Sequence, residues 1–544
     1  MLRAAGWALA IWVVVFWRLG YPSLLDPDEA HYAQLTREML KAGSWLVPLL
    51  DGHPFIDKPI LFHWLQGTVV RLIGESELAL RLPSALAAVA LIATIRWLAS
   101  TLFDRKVGDW SALMFATLPA TFALSSLGIL DMVFAAFLFG GISCLLICTL
   151  RDRPGLELPG YLLVALAVMT KGPVALVLLV LFALIAVLSG SACRNAMLRL
   201  NWIVGITLIV LVASPWFVWM WLAYGDRFVQ DYLVAGNLWY FTEPPVFSTR
   251  TTGYSFYLRI FAGGFFPWSL ITTARAIDAI RAKRLGLEVA VEERMLWLWV
   301  VVVIGFFSIA QFRLDHYIFP AAPACCILAA LGAQRAVTEW NWARRSIVAI
   351  AVCFVVGGAV AAGTLFQLDL GLTWTALALP VALITGGVAL GLQMGRHHWS
   401  PQSLVSPLVA LLMVYATVVL VGFPVLEKSR PTAALGRWIS RQSERGSPIG
   451  LYRVEDWRAS IRYYANAPVV SLESPEELKA FLQRWPRAFI VLLDTDDRAF
   501  RESGVDIAEV AARPAIVGRK GKYLRRQIWG KLVVARQRHQ LRPL

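Results

Sequence analysis

The chain has 544 residues, 58% of them hydrophobic and 16% charged, and a mean hydropathy of +0.62. Soluble domains carry about a quarter charged residues, and no water-facing core can absorb this apolar surplus, so a purely soluble fold is excluded. The net charge of +15 sits mainly in short loops between apolar runs, the distribution of a membrane protein's inner loops rather than of a nucleic-acid surface.

Met1–Tyr21 reads as a retained first helix, because no small-x-small cleavage site precedes the acids that follow. Further apolar runs start near Leu78, Ser111, Met132, Gly160, Val174, Trp202, Ile260, Leu296, Ile318, Ile347, Thr373 and Leu404. With the first helix they predict about 13 transmembrane spans, some short or broken by Gly and Pro. With the N-terminus inside, the inner loops hold Arg105, Lys106, Arg151, Arg153, Arg194, Arg199, Arg281, Lys283, Arg284, Arg335, Arg344, Arg345 and Arg396. The outer loops collect Asp26, Asp28, Glu29, Asp51, Asp57, Asp131, Asp226, Asp231, Glu243 and Asp315, and inverting the chain would reverse the basic bias.

Two outer segments are too long to be connectors. In Pro22–Glu77, Asp28–Leu40 reads as a helix with acids at its start and Arg37 near its end, and Ile60–Ile73 as an interfacial amphipathic helix. Tyr224–Tyr257 is rich in aromatics, and Tyr232, Trp239, Tyr240, Tyr254 and Tyr257 read as an interface belt with some capacity to stack on a sugar ring. Beyond Phe423 the composition becomes charged. Strand-like Ile449–Val454, Pro468–Leu472 and Ala488–Leu493 alternate with helical stretches, and Ser474 with Glu477 forms a capping box. The expected fold class is an α-helical polytopic membrane protein, residues 1–425, carrying the outer loop 22–77, followed by a small α/β domain, residues 426–544. The domain lies outside by span count, although its tail, Arg519 to Arg542, is basic. The six cysteines lie in or beside apolar spans, so no disulfide framework is expected.

Chemistry concentrates in the outer loops. Asp28 and His31 stand at i and i+3 of a nascent helix and share a face. Asp57-Lys58-Pro59 adds a cation near the outer surface, Asp131 sits in a short turn between spans, and Lys171 interrupts an apolar stretch. Arg313, Asp315, His316 and Tyr317 fill a further turn. Ionisable residues at membrane depth are costly and mark functional sites. Carboxylates and cations gathered on one side suit a phosphate-bearing substrate; the competing explanation is salt bridging among loops.

The ordered set Asp28-Glu29 with Tyr32, Lys58-Pro59, Leu130-Asp131, Met169-Thr170-Lys171-Gly172-Pro173, Ser214-Pro215-Trp216, Tyr257, Phe266-Pro267-Trp268, Phe307-Ser308-Ile309-Ala310, Arg313-Leu314 and Tyr317-Ile318 resembles the bacterial aminoarabinose lipid A transferases and protein O-mannosyltransferases, the class C glycosyltransferases. The motifs span residues 20 to about 325. Three positions depart from that pattern: Asp57 stands where Glu is usual, Gln311-Phe312-Arg313-Leu314 replaces a Lys-x-Lys-Leu turn, and His31 replaces Arg or Thr.

The resemblance implies a class C fold in the bacterial inner membrane, with its active site and C-terminal domain facing the periplasm. It implies inverting transfer of a sugar from a polyprenyl phosphate to an envelope acceptor, foremost lipid A, with a protein hydroxyl or a lipopolysaccharide-core glycan as the alternatives. A lipid or sugar transporter is the reading of another class. The resemblance makes Asp28, Glu29 and Asp131 the catalytic candidates, Asp28 as general base or orienting carboxylate and Asp131 as reader of the sugar. Lys58, Lys171, Arg313, Tyr317, Tyr257 and Arg259 are its substrate-binding candidates. No cofactor is required by this chemistry. His31, Asp57 and His316, with His53 and His63 nearby in the sequence, are the candidate ligands of a divalent cation, without compact ligand spacing.

Overall fold

The computed structural model describes residues 2–242, 253, 255–336, 342–367, 374–395, 401–444, 446–454, 459–494, 507–516 and 529–538. Glu243, Tyr254, Arg396 and most of the basic tail lie outside the described residues. Two compact units emerge: residues 1–19, 56–65 and 81–421 form the first, and residues 20–55, 66–80 and 422–544 the second.

The first unit is helical. Every apolar run predicted to start a span is helical here, and seven helices among the described residues are long and apolar enough to cross a membrane. The count is eight if Arg105–Ala116 and Pro119–Ser125, which meet at 64°, form one span. The remaining runs are shorter, such as Val174–Leu188, or carry polar groups, such as Trp268–Arg284. Their outer faces are apolar: Ile203 is 80% exposed and Leu222 72%. Such surface is stable only against lipid, and the chain is a multi-pass membrane protein.

Inside a bilayer helices gain little from the hydrophobic effect, so close approach through small residues carries the packing. A Cβ on Gly141 would lie 2.8 Å from the Gly160 carbonyl, and one on Gly387 2.7 Å from that of Ala351. Several buried polar groups are paired within the same unit. The Trp268 indole donates to Thr117 Oγ1 at 3.1 Å, and that of Trp299 to the Pro320 carbonyl at 2.9 Å. Arg275 and Glu293 form a buried pair at 2.7 Å.

In the second unit, β1 (Leu49–Leu50) and β2 (His53–Pro54) form a two-residue hairpin turned by Asp51 and Gly52, both at positive φ. A five-stranded sheet follows, made of β3 (Ile449–Tyr452), β4 (Val469–Leu472), β5 (Ile490–Leu493), β6 (Ile507–Ile516) and β7 (Trp529–Gln537). Its order is β4-β3-β5-β7-β6; β3 is parallel to β4 and β5, whereas β7 runs antiparallel to β5 and β6. Apolar side chains cover both faces, Leu451 and Val491 on one and Tyr452 and Ile490 on the other.

Much of the long segment 22–77 folds with this sheet domain. Helix Asp28–Lys41 packs on helix Ala459–Ala465, where the Leu24 N–H donates to Tyr464 Oη at 2.7 Å and Lys41 Nζ to Asn466 Oδ1 at 2.8 Å. Asp26, in the acidic run singled out from the sequence, has a side chain only 2% exposed and a structural partner set. Its carboxylate accepts from the backbone N–H of Ser460 at 2.7 Å and from its hydroxyl at 2.6 Å, and pairs with Arg430 at 3.3 Å.

Candidate active site

The first unit links Asp131, Lys171, His316 and Tyr317 by contacts and pairs Lys58 with Asp57. Asp131 opens helix Asp131–Leu150 and Lys171 ends helix Glu157–Lys171, so each charge matches the dipole of its own helix end. Their side chains, 8% and 10% exposed, form an ion pair. His316 Nε2 lies 3.5 Å from the other Asp131 oxygen. The Lys171 ammonium sits 4.5 Å above the Tyr317 ring and 5.4 Å from that of Phe134, a cation held by one carboxylate and two aromatic faces. Lys58 Nζ donates to Asp57 Oδ1 at 2.9 Å and to the Asp57 carbonyl at 3.2 Å.

The path of the chain past Lys171 explains how the two lysines reach one space. Gly172 takes φ 87 and ψ −152, a conformation open essentially to glycine alone. Its missing side chain makes room for Tyr232, whose Oη would lie 2.2 Å from a Cβ there, and Pro59 Cγ would lie 3.8 Å away. Tyr232 is buried and stacks on Phe228 at 5.2 Å, and it comes from the π-helical stretch Val229–Trp239. Gly236 of the same stretch passes close to Asp57, with Oδ1 3.2 Å from its would-be Cβ.

Lys58, Lys171 and Tyr317 line a cavity of about 420 Å³. The rest of its wall is largely apolar: Val174, Val177, Leu233, Leu238 and Phe241, with Phe306, Phe307 and Phe312, relieved by Asn237. Two ammonium groups in an otherwise apolar wall suit an anionic head joined to a hydrocarbon chain. Low surrounding dielectric strengthens the lysines' attraction for an anion.

Within the first unit, Arg313, Tyr257 and Arg259 do not line this cavity. Arg313 directs its guanidinium to backbone carbonyls, Nε to Ala310 at 2.9 Å, Nη2 to Ser308 at 2.8 Å and Nη1 to Gly253 at 3.2 Å, and is not among the residues lining the cavity. Tyr257 is buried and lines a separate cavity of about 340 Å³ with Phe261 and Trp297, while Arg259 is exposed on helix Phe256–Gly264. Asp28, Glu29 and His31 belong to the second unit. There Asp28 is exposed at the start of its helix, Glu29 is buried and accepts from the Leu25 N–H at 2.8 Å, and the His31 ring meets Phe55 edge-on at 4.8 Å. Among the described residues no three His, Cys, Asp or Glu side chains gather as a metal site.

Asn237, Leu233 and Phe306 line the cavity without having been singled out from the sequence. In the sequence they read as ordinary span or belt residues, and only Asn237 carries a polar signal within an apolar run.

The family model for dolichyl-phosphate-mannose-protein mannosyltransferases matches residues 57–219, the stretch that contains Lys58, Asp131 and Lys171. The undecaprenyl phosphate-alpha-4-amino-4-deoxy-L-arabinose arabinosyl transferase of Yersinia enterocolitica is 27% identical over 355 residues, 61% of this chain and 60% of the relative's length. The match thus spans under two thirds of that relative. The crystal structure of ArnT from Cupriavidus metallidurans bound to undecaprenyl phosphate superposes with a TM-score of 0.72 at 21% identity, covering 98% of this chain and 97% of that one. The apo oligosaccharyltransferase of Archaeoglobus fulgidus gives a TM-score of 0.52 at 11% identity, covering 92% and 70%. These two likenesses are of fold. The resemblance read from the sequence is borne out, and the chain has the class C glycosyltransferase fold.

Proposed function

We propose that this class C glycosyltransferase fold moves a sugar from a polyprenyl phosphate to an envelope acceptor, foremost lipid A, on the periplasmic side of the bacterial inner membrane. The observation that carries the reading is the cavity with Lys58 and Lys171 in a largely apolar wall. The undecaprenyl phosphate bound to the Cupriavidus protein, and the undecaprenyl-phosphate donor for which the Yersinia relative is named, support this choice of lipid.

In this reading the lysines hold the lipid phosphate and stabilise its charge as the sugar leaves. The Asp57 carboxylate positions Lys58, and Asp131 positions Lys171 while its second oxygen, near His316, addresses the sugar. Asp28, exposed at a helix start, is the acceptor-side carboxylate, a base for a hydroxyl acceptor or an orienting group for a phosphate acceptor. Glu29 supports the turn before that helix through the Leu25 N–H. Direct displacement with inversion at the anomeric carbon needs no cofactor.

The test is transfer by purified protein from extracted polyprenyl-phosphate sugars to lipid A, to peptide and to core oligosaccharide, with Lys58→Ala and Asp28→Asn alongside. Sugar on lipid A, lost in both variants, supports the reading. Transfer to peptide or core glycan keeps the donor site and replaces the acceptor. Full activity in Lys58→Ala overturns the donor site.

A further inference from the structure

Within the second unit, helix Asp28–Lys41 and residues 70–80 enclose a hollow of about 210 Å³ lined by Thr36, Arg37, Lys41, Arg71 and Glu75 over an apolar floor that includes Leu40 and Leu80. Three cations face one carboxylate there. Arg37 is fixed: Nε donates to Glu75 at 2.5 Å, Nη1 to the Tyr463 carbonyl at 2.5 Å, and the guanidinium lies 3.5 Å over the Tyr463 ring. Its Nη2 makes no hydrogen bond among the described residues. Lys41 uses one of its three protons, on Asn466. Arg71 is exposed and has no partner among the described residues. The hollow thus presents unused, partly preorganised donors with a surplus of positive charge, the chemistry that recognises a phosphate.

Beside the hollow the surface is apolar. Leu72, next to Arg71, is 77% exposed, Ile73 55%, and Leu78, three residues past Glu75, 42%. A free phosphate has no use for three exposed aliphatic side chains, whereas a phosphorylated lipid places acyl chains and headgroup side by side. We propose that this hollow binds the phosphate of a phosphorylated lipid whose acyl chains run along Leu72, Ile73 and Leu78. Under the transferase reading above, on which this rests, that lipid is the acceptor.

The experiment uses the full-length protein in detergent and measures Kd by microscale thermophoresis for three probes: lipid A carrying both phosphates, the same lipid after phosphatase treatment, and inorganic phosphate. A cation beside a lipid headgroup contributes enough that Arg71→Gln weakens bisphosphorylated lipid A about fivefold, and Lys41→Gln with Arg71→Gln on the order of thirtyfold. Undecaprenyl phosphate binding stays unchanged in both variants. The single variant alters an exposed side chain and so keeps the fold. Equal binding of the two lipid forms, or no loss in the variants, overturns the proposal. Inorganic phosphate that binds with the same variant dependence and displaces the lipid makes this a free-phosphate site and overturns it too. Failure of the donor reading registers separately, as undecaprenyl phosphate binding that survives Lys58→Ala.

Discussion

Lys171 and Asp131, forty residues apart in the chain, form an ion pair with side chains only 10% and 8% exposed. Burying two charges is expensive, and removing one partner strands the other. Asp131→Ala therefore costs about 3–5 kcal/mol of stability. Adding Lys171→Met to Asp131→Ala recovers part of that loss, because no charge is left stranded. Thermal unfolding in detergent, followed by tryptophan fluorescence, gives the comparison, and a double variant no more stable than Asp131→Ala contradicts the pairing.

Gly172 is required twice, by its backbone angles and by its contact with Tyr232. Gly172→Ala costs on the order of 1–3 kcal/mol from backbone strain alone, and the clash with Tyr232 Oη adds to it. Tyr232→Phe removes the oxygen that a Cβ would meet at 2.2 Å and leaves the ring carbon at 3.3 Å. Combining the two substitutions thus relieves the steric part and not the strain. Melting temperatures of the four proteins in the cycle check this, and strict additivity argues against the contact.

Under the proposed donor reading, Lys58 contributes a charged hydrogen bond to the lipid phosphate, worth about 1.5–3 kcal/mol. Lys58→Ala weakens undecaprenyl phosphate binding roughly 10- to 100-fold. Asp57→Asn, which removes the 2.9 Å ion pair and keeps the lysine, has a smaller effect. Titration with the lipid in detergent measures both.

Asp26 is a structural residue of the second unit. Asp26→Ala leaves the buried Ser460 hydroxyl and N–H without the carboxylate and costs about 1–3 kcal/mol. The loss appears as an earlier melting transition, while the undecaprenyl phosphate affinity of the folded protein is unchanged. An unshifted transition contradicts this role.

Much of the fold was legible because period and composition are local. The apolar runs became helices in order, Asp28–Leu40 became Asp28–Lys41, and Ile449–Val454, Pro468–Leu472 and Ala488–Leu493 became β3, β4 and β5. The Ser474 cap formed, its Oγ accepting from the Glu477 N–H at 3.2 Å, while Glu477 reached back to the Glu473 N–H rather than to Ser474. β6 was illegible: Ile507–Ile516 has four alanines and Pro514, a weak strand sequence that an edge position tolerates. The Asp51-Gly52 hairpin signal went unread because its strands are only two residues long.

The site was legible as residues and not as partners. Asp131 and Lys171 stood out because charge is costly at membrane depth, but their pairing depends on helix packing across forty positions. The backbone partners of Arg313, the carbonyls of Ala310, Ser308 and Gly253, were not legible in the sequence. The folding of residues 20–55 with the C-terminal sheet rests on contacts such as Leu24 to Tyr464, 440 residues apart, which no local pattern encodes.

The central claim is sugar transfer from a polyprenyl phosphate, and the most direct measurement is product formation by purified protein supplied with undecaprenyl-phosphate-linked sugar and lipid A. The account predicts a glycosylated lipid A detected by mass spectrometry, and its disappearance in Lys58→Ala. Undiminished product in Lys58→Ala, or no transfer to any envelope acceptor, would contradict it.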